Sequence, residues 1–201
     1  MTSRKRRQPK QWRARQTVEA VLDAVIRILK REGIGAVTTN RVAEVAGVSI
    51  GSVYQYFPDK QAIFLALHRR HIDQVDRIIH TRLVEHASSP LDDLMRAMIE
   101  GMIEAHSSDP ELYQLLTTRV PHRADGTSDF AVRFHGAFRL ALRSRTRELK
   151  QGRDLDRLAF MVANLVDSLS HAALFRRPPR LLSLAEAKAE VLRAVLAYLH
   201  S

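Results

Sequence analysis

Apolar residues recur at intervals of three and four along almost the whole of this 201-residue chain, and no run alternates apolar with polar residues over the length of a strand. Those intervals put side chains on one face of an α-helix, so the pattern confines the chain to an all-α fold whose helices bury stripes against one another. Val18, Val21, Leu22, Val25, Ile28 and Leu29 form the first stripe, closed at Gly33-Ile34-Gly35, where glycine can take the left-handed cap. Two short helices follow at about 39–46 and 50–56, separated by Gly47-Val48-Ser49, and Phe57-Pro58-Asp59 then interrupts, because proline disfavours helix at the preceding residue. A long fourth helix is expected over about 60–85. Ser89-Pro90 and Asp109-Pro110 each read as a capping side chain ahead of a first-turn proline, opening two more helices. Residues 119–128 are the most loop-like. Beyond them come a helix at about 129–150 bearing Phe130, Phe134 and Phe138, another at about 154–175, a stop at Arg176-Arg177-Pro178-Pro179, and a last helix opened by the capping box of Ser183 and Glu186. Nine helices are expected, without internal repeats.

Charge is distributed unevenly. Of the net +10, the first 15 residues supply +7 through Arg4, Lys5, Arg6, Arg7, Lys10, Arg13 and Arg15, with no acid among them. Such an arm can neutralise DNA phosphates, releasing counterions as it does; the plainer alternative is a solubilising tail. No cysteine is present, which excludes disulfides and zinc–thiolate sites. The first segment lacks the apolar stretch of a secretory signal, and no run looks like the roughly 20 apolar residues of a membrane span, so a cytoplasmic protein without membrane contact is expected. The expected division is a basic arm at 1–15, a DNA-binding domain at 16–59, and a helical domain at 60–201.

Residues 38–60 have the parts of a helix-turn-helix, in which one short helix packs across a second that enters the DNA groove. Thr38 can cap the first; Val42, Ala43 and Ala46 give it a small apolar face; Gly47 permits the turn; Val48 plugs the core; Ser49 caps the second. In that second helix Val53 and Phe57 face inward, so the tyrosines at 54 and 56 cannot both do so, although either could be an edge aromatic. Gly51 weakens the helix by about 1 kcal/mol relative to alanine, which suggests close approach to another surface.

The run TTNRVAEVAGVSIGSVYQYFPDKQAIF resembles the signature of the TetR family, with its threonine opening the second helix, its A-G-V-S turn, its Y-x-Y-F run and its lysine starting the fourth helix. The resemblance implies a ligand-responsive transcriptional repressor, not an enzyme, that binds a palindromic operator in double-stranded DNA as a homodimer. It assigns Thr38, Tyr56 and Lys60 to phosphates, and Asn40, Arg41, Ser49, Gly51, Ser52, Tyr54 and Gln55 to the groove surface. Gln55 and Asn40 have amides suited to adenine, and Arg41 has the fork for guanine.

For the remaining residues the resemblance implies a dimer formed by the last two helices, with Met161, Leu165, Leu169, Val191, Val195 and Leu199 on the stripes concerned; the same stripes could equally be satisfied within one chain. It also implies a pocket for a small-molecule effector. Met98, Met102, His106, Tyr113, Phe134, Phe138, Asn164, Asp167 and His171 are the candidate lining, although Met and Phe stripes are more often core. No cofactor and no metal are expected. His68, His71 and His106 would be the residues of a metal-sensing variant, and Asp167 with His171 the nearest thing to a catalytic pair, but no P-loop, G-x-S-x-G, G-x-G-x-x-G or H-E-x-x-H is present. A DNA binder that answers to no ligand is a further alternative.

Overall fold

Each run of three-and-four spacing is helical in the computed structural model, which describes residues 7–120, 127–176 and 182–201. The described residues form α1 (Arg7–Glu32), α2 (Thr39–Ala46), α3 (Ile50–Tyr56), α4 (Lys60–Glu85), α5 (Leu91–Ser107), α6 (Pro110–Arg119), α7 (Thr127–Arg143), α8 (Leu155–Phe175) and α9 (Leu184–His200), with short 3₁₀ turns at Ile34–Ala36 and Thr146–Glu148. They divide into two compact units, residues 7–70 with 111–120, and residues 71–110 with 127–176 and 182–201. The division expected at 59/60 thus falls inside the first unit, and α4 contributes to both.

In the first unit, Val21, Leu22, Val25 and Ile28 of α1 meet Val42 and Ala43 of α2, Val53 of α3, Phe57, and Ile63, Phe64 and Leu67 of α4. Leu112, Leu115, Leu116 and Val120 complete this core, so α6 belongs here and not with the C-terminal helices where the sequence reading puts it. The Gln61 amide fastens α6 by donating to the Arg119 carbonyl at 2.8 Å. Gly33 closes α1 at φ 79°, its N–H donating to Leu29. The other end of α1 differs from expectation: helix begins at Arg7, so Arg7, Lys10, Arg13 and Arg15 are helical residues rather than part of an extended arm. Pro9 is compatible with this because it falls in the first turn, where its missing N–H has no helical partner. The arm residues before Arg7 lie outside the described residues.

The second unit is built around α5, on which Leu91, Leu94, Met95, Met98, Ile99, Met102 and Ile103 are buried against α8 and α9 and against the second half of α4. At Gly101 α5 passes close to α4, since a Cβ there would stand 2.9 Å from Ile78 Cγ2. By length and composition α8 could cross a membrane, contrary to the sequence reading; here Leu158, Val162 and Val166 use that apolarity on the core of this unit.

α7 ends at Arg143, short of the expected 150, because Arg145 leaves helical geometry (φ −133°, ψ 32°) and turns its guanidinium inward. That group, on a residue only 7% exposed, donates to the carbonyls of His86 (2.6 Å), Ala87 (2.9 Å) and Ser89 (2.8 Å) and to Ser144 Oγ (2.7 Å). Glu148, in the next turn, accepts from the Leu91 N–H at 2.7 Å and so caps α5 from a distance. The expected cap, Ser89, bonds His86 instead. Arg145→Ala removes a donor from three carbonyls of the α4–α5 connection, of which His86 keeps the Ser89 N–H at 3.1 Å, and is expected to cost roughly 2–4 kcal/mol. Chemical denaturation should show a lowered midpoint, and Arg145→Lys, with one donor centre instead of a fork, should restore only part of it.

Candidate nucleic-acid interface

Three backbone devices set the attitude of α3. Thr38 is extended (φ −121°, ψ 155°) and its Oγ1 accepts from the Arg41 N–H at 3.2 Å, starting α2. Gly47 stops α2 in the left-handed region (φ 69°, ψ 31°) while the Val48 N–H reaches back to Ala43 at 3.1 Å. Ser49 then accepts from the Ser52 N–H at 3.0 Å and starts α3. All three are where the sequence predicts them.

Of the seven residues of α3 only Val53 is buried, and Phe57 follows it into the core, so most of the helix faces outward. Tyr54 is 52% exposed and Ile50 38% exposed. Gln55, Gly51, Ser49, Thr38, Asn40 and Lys60 are exposed too, while Ser52 and Tyr56 are half-buried, Tyr56 packing on the core edge. The Tyr54 hydroxyl lies 3.3 Å from Thr39 Oγ1, tying α3 to α2. Thr39 therefore belongs with the surface, although the sequence reading passes over it; the paired threonines at 38 and 39 were the available signal. Asp59 caps α4 through the Ala62 N–H at 2.8 Å, and the Lys60 ammonium stands 5.9 Å from the Phe64 ring centre.

Arg41 is placed differently from its expected part. Its guanidinium holds Glu32 at 2.7 Å and Glu44 at 2.7 Å, and these hydrogen bonds, Glu32's first, raise its pKa still further. The same bond lowers the pKa of Glu32. A guanidinium so engaged anchors α2 to the end of α1 instead of presenting a fork to guanine. What remains outward is a narrow helix without a charged residue, carrying hydroxyls and one amide, flanked by Asn40 and Lys60. That combination suits the base edges of a major groove about 12 Å wide, with hydroxyls and an ammonium for phosphates at its margins.

Only some of the residues expected to line an effector pocket come together. Met98, Met102, Phe134 and Phe138 are packed into the core of the second unit, with Phe134 and Phe138 edge to face at 5.0 Å. Asn164 and Asp167 face outward on α8, Asn164 bonding the Phe160 carbonyl and the His135 ring, and Tyr113 belongs to the first unit. His106 is buried, its Nδ1 donating to the Met102 carbonyl at 2.8 Å and its ring 5.2 Å from that of His71. Burial pushes the His106 imidazole down to about 4, with the nearby His171 adding to the effect and the bond to Met102 opposing it. An open groove of about 630 Å³ lies elsewhere in this unit, between the second half of α4 and α7, beside the Asp76–Arg133 ion pair. The expected dimer stripe on α9 also turns inward: Val191, Val195 and Leu199 are core. On α8 the expectation fares differently, for Met161 is 41% exposed beside Phe160 at 53%, and Leu165 and Leu169 are half-buried.

A three-helix unit with this turn and this outward helix defines a helix-turn-helix DNA-binding protein. Residues 21–67 match the model of bacterial regulatory proteins of the tetR family, and residues 90–199, more than half the chain, match the tetracyclin repressor-like C-terminal domain. The chain belongs to the TetR family of transcriptional regulators, which are not enzymes. Among curated relatives it is 33% identical over 100 residues to the nucleoid occlusion factor SlmA of Haemophilus ducreyi, covering 49% of this chain and 48% of that protein. It is 26% identical over 102 residues to the transcriptional repressor AcnR of Corynebacterium glutamicum, covering 51% and 46%. The chain thus spans about half the length of the curated relatives it matches. Among solved structures, the regulator FadR of Bacillus subtilis in complex with stearoyl-CoA shares the fold at TM-score 0.67 and 17% identity, covering 90% of this chain and 99% of that one.

Two outcomes follow from this geometry. A Cβ on Gly51 would meet only Ser49 Oγ, at an ordinary 3.8 Å, so nothing inside the chain requires glycine there. Gly51→Ala is expected to leave the fold intact, stabilising α3 by up to about 1 kcal/mol, while weakening DNA binding severalfold; melting curves and band-shift titrations read the two effects separately. For His106, the folded pKa lies below the ordinary 6.5, so the unfolded chain takes up the proton first as pH falls. Its contribution to stability is complete above 6.5 and is lost between 6.5 and about 4. Thermal midpoints across that window should decline, and the decline should be shallower in His106→Leu.

Proposed function

We propose that this chain is a homodimeric, ligand-responsive repressor that acts in the cytoplasm. Two copies of α3 enter successive major grooves of a palindromic operator, and a small molecule held by the helical unit of α5, α7, α8 and α9 releases them. The observation that carries the reading is the outward face of α3: Gly51, Tyr54 and Gln55 exposed on a helix held at both ends by backbone caps. Thr38, Tyr56 and Lys60 serve as phosphate contacts, and Asn40, Ser49, Ser52, Tyr54 and Gln55 form the groove surface. Symmetry supports a dimer, since a two-fold pair reads half-sites one helical turn apart, and the exposed Phe160 and Met161 on α8 offer an apolar face for it. Release by a ligand is a population shift: α4 has residues in both units, so a ligand that favours one position of its second half biases the spacing of the recognition helices. An acyl-CoA is the first ligand to try, since it is what the FadR structure contains.

The test is a band-shift titration with DNA flanking the chain's own gene. Tyr56→Phe combined with Lys60→Ala should weaken binding about tenfold or more and reduce the salt slope by about one for each phosphate that is no longer neutralised. Equal affinity and an equal slope would show that α3 docks otherwise. Added acyl-CoA should release the parent protein from DNA, while a ligand-indifferent complex across acyl chains, nucleotides and aromatic drugs would leave a constitutive repressor.

A further inference from the structure

Trp12 is the chain's one tryptophan, and it stands 59% exposed on α1, well ahead of Val21, where that helix first becomes fully buried. Glu19 and Asp23 share a surface groove with Trp12 and Arg15, but every charge ahead of them in the chain is positive. Arg7, Lys10, Arg13 and Arg15 all precede Glu19, the first acid in the chain, and Arg13 and Arg15 are exposed and form no ion pair with a described residue. Glu19 and Asp23, the acids that could have balanced them, are held by Arg70 at 3.0 and 2.7 Å. Cations crowded along the opening turns of a helix repel each other, so this segment is electrostatically unfavourable until an anion lies along it.

The position of the segment says which anion. α2 packs back along α1, fastened by Arg41 to Glu32 at its start, and α1 also touches α3. Eight residues at about 1.5 Å each carry α2 some ~12 Å back, which sets the Gly47-Val48-Ser49 turn and the beginning of α3 beside the middle of α1. The first turns of α1 lie further along the same helix, in the unit that holds the helix-turn-helix. The geometry points to a second DNA contact: residues 11–16 form a basic stretch of α1 that lies on the phosphate backbone beside α3, with Trp12, Arg13 and Arg15 at the contact, and binds without regard to base sequence. It rests on the DNA-binding reading above, and needs neither the dimer, the operator nor the ligand.

Because Trp12 is alone, intrinsic fluorescence of the full chain reports on this stretch directly. Titration with a duplex of unrelated sequence should change Trp12 emission and reduce its quenching by acrylamide. Arg13→Ala with Arg15→Ala should weaken binding to unrelated and operator duplexes by the same factor, about tenfold at low salt, and lower the salt slope by about two. Circular dichroism and melting of that variant should match the parent, since neither side chain is buried; the Trp12 titration on the unaltered chain reads the contact whether or not they do. Unchanged Trp12 emission and acrylamide access at saturating DNA, or an unchanged salt slope in the variant, overturns the proposal. So does shielding of Trp12 by phosphatidylglycerol vesicles but not by DNA, which would make the stretch a membrane-surface helix. A chain that shields Trp12 on any duplex yet shows no operator preference keeps this contact and loses the repressor; operator binding with Trp12 untouched does the reverse.

Discussion

The recognition helix has almost no hold of its own on the protein. α3 is seven residues long and gives the core one buried side chain, Val53, far too little for so short a helix to persist by itself. Its direction is therefore imposed from its ends: Gly47 in the left-handed region turns the chain out of α2, Ser49 caps the first turn, and Phe57 plugs the core immediately after the last. Everything that α3 can present outward follows from these three constraints. Because they are met by the backbone and by two apolar plugs, the outward positions are released from any structural duty. That release is why Gly51 stands out as a residue with an outside reason.

The same economy operates in the second unit with a different chemistry. There the connection between α4 and α5 has only one turn bond, from the Ser89 N–H to the His86 carbonyl, for the carbonyls of His86, Ala87 and Ser89, and one guanidinium, Arg145, collects all three. Leaving helical geometry at 145 also brings Glu148 onto the free N–H at the start of α5. An early end to α7 and a distant cap for α5 are thus two consequences of one buried side chain.

Legibility in the sequence divides along the same line. Features decided by neighbours in the chain were readable: the caps at Thr38, Ser49 and Ser183, the left-handed glycines at 33 and 47, and the span of α4. Features decided by residues far apart were not. Nothing near residue 145 announces that its guanidinium will meet carbonyls more than fifty positions earlier, and Ser89 beside Pro90 is a sound local cap that lost to Glu148. α6 has an ordinary amphipathic pattern, and its membership in the first core depends on where α4 and α5 carry it. The turn and caps of the helix-turn-helix were legible because they are local; the setting of Met98, Met102, Phe134 and Phe138 was not, since such residues look the same whether they line a pocket or fill a core.

The dimer stripes show this ambiguity in its sharpest form. An amphipathic pattern says that a helix has a face to bury and is silent on whether the covering surface comes from the same chain or from another copy. On α9 the stripe of Val191, Val195 and Leu199 is used up internally, leaving an outer flank of alanines, Glu190 and Arg193. On α8 the apolar residues exceed one face: Leu158, Val162 and Val166 go to the core, yet Phe160 and Met161 remain outside. A helix apolar enough to pass for a membrane span therefore has a surplus, and in the dimer proposed above that surplus is covered by the same face of a second copy. Under the dimer proposed above, the work of holding two copies of α3 apart falls on α8 more than on α9.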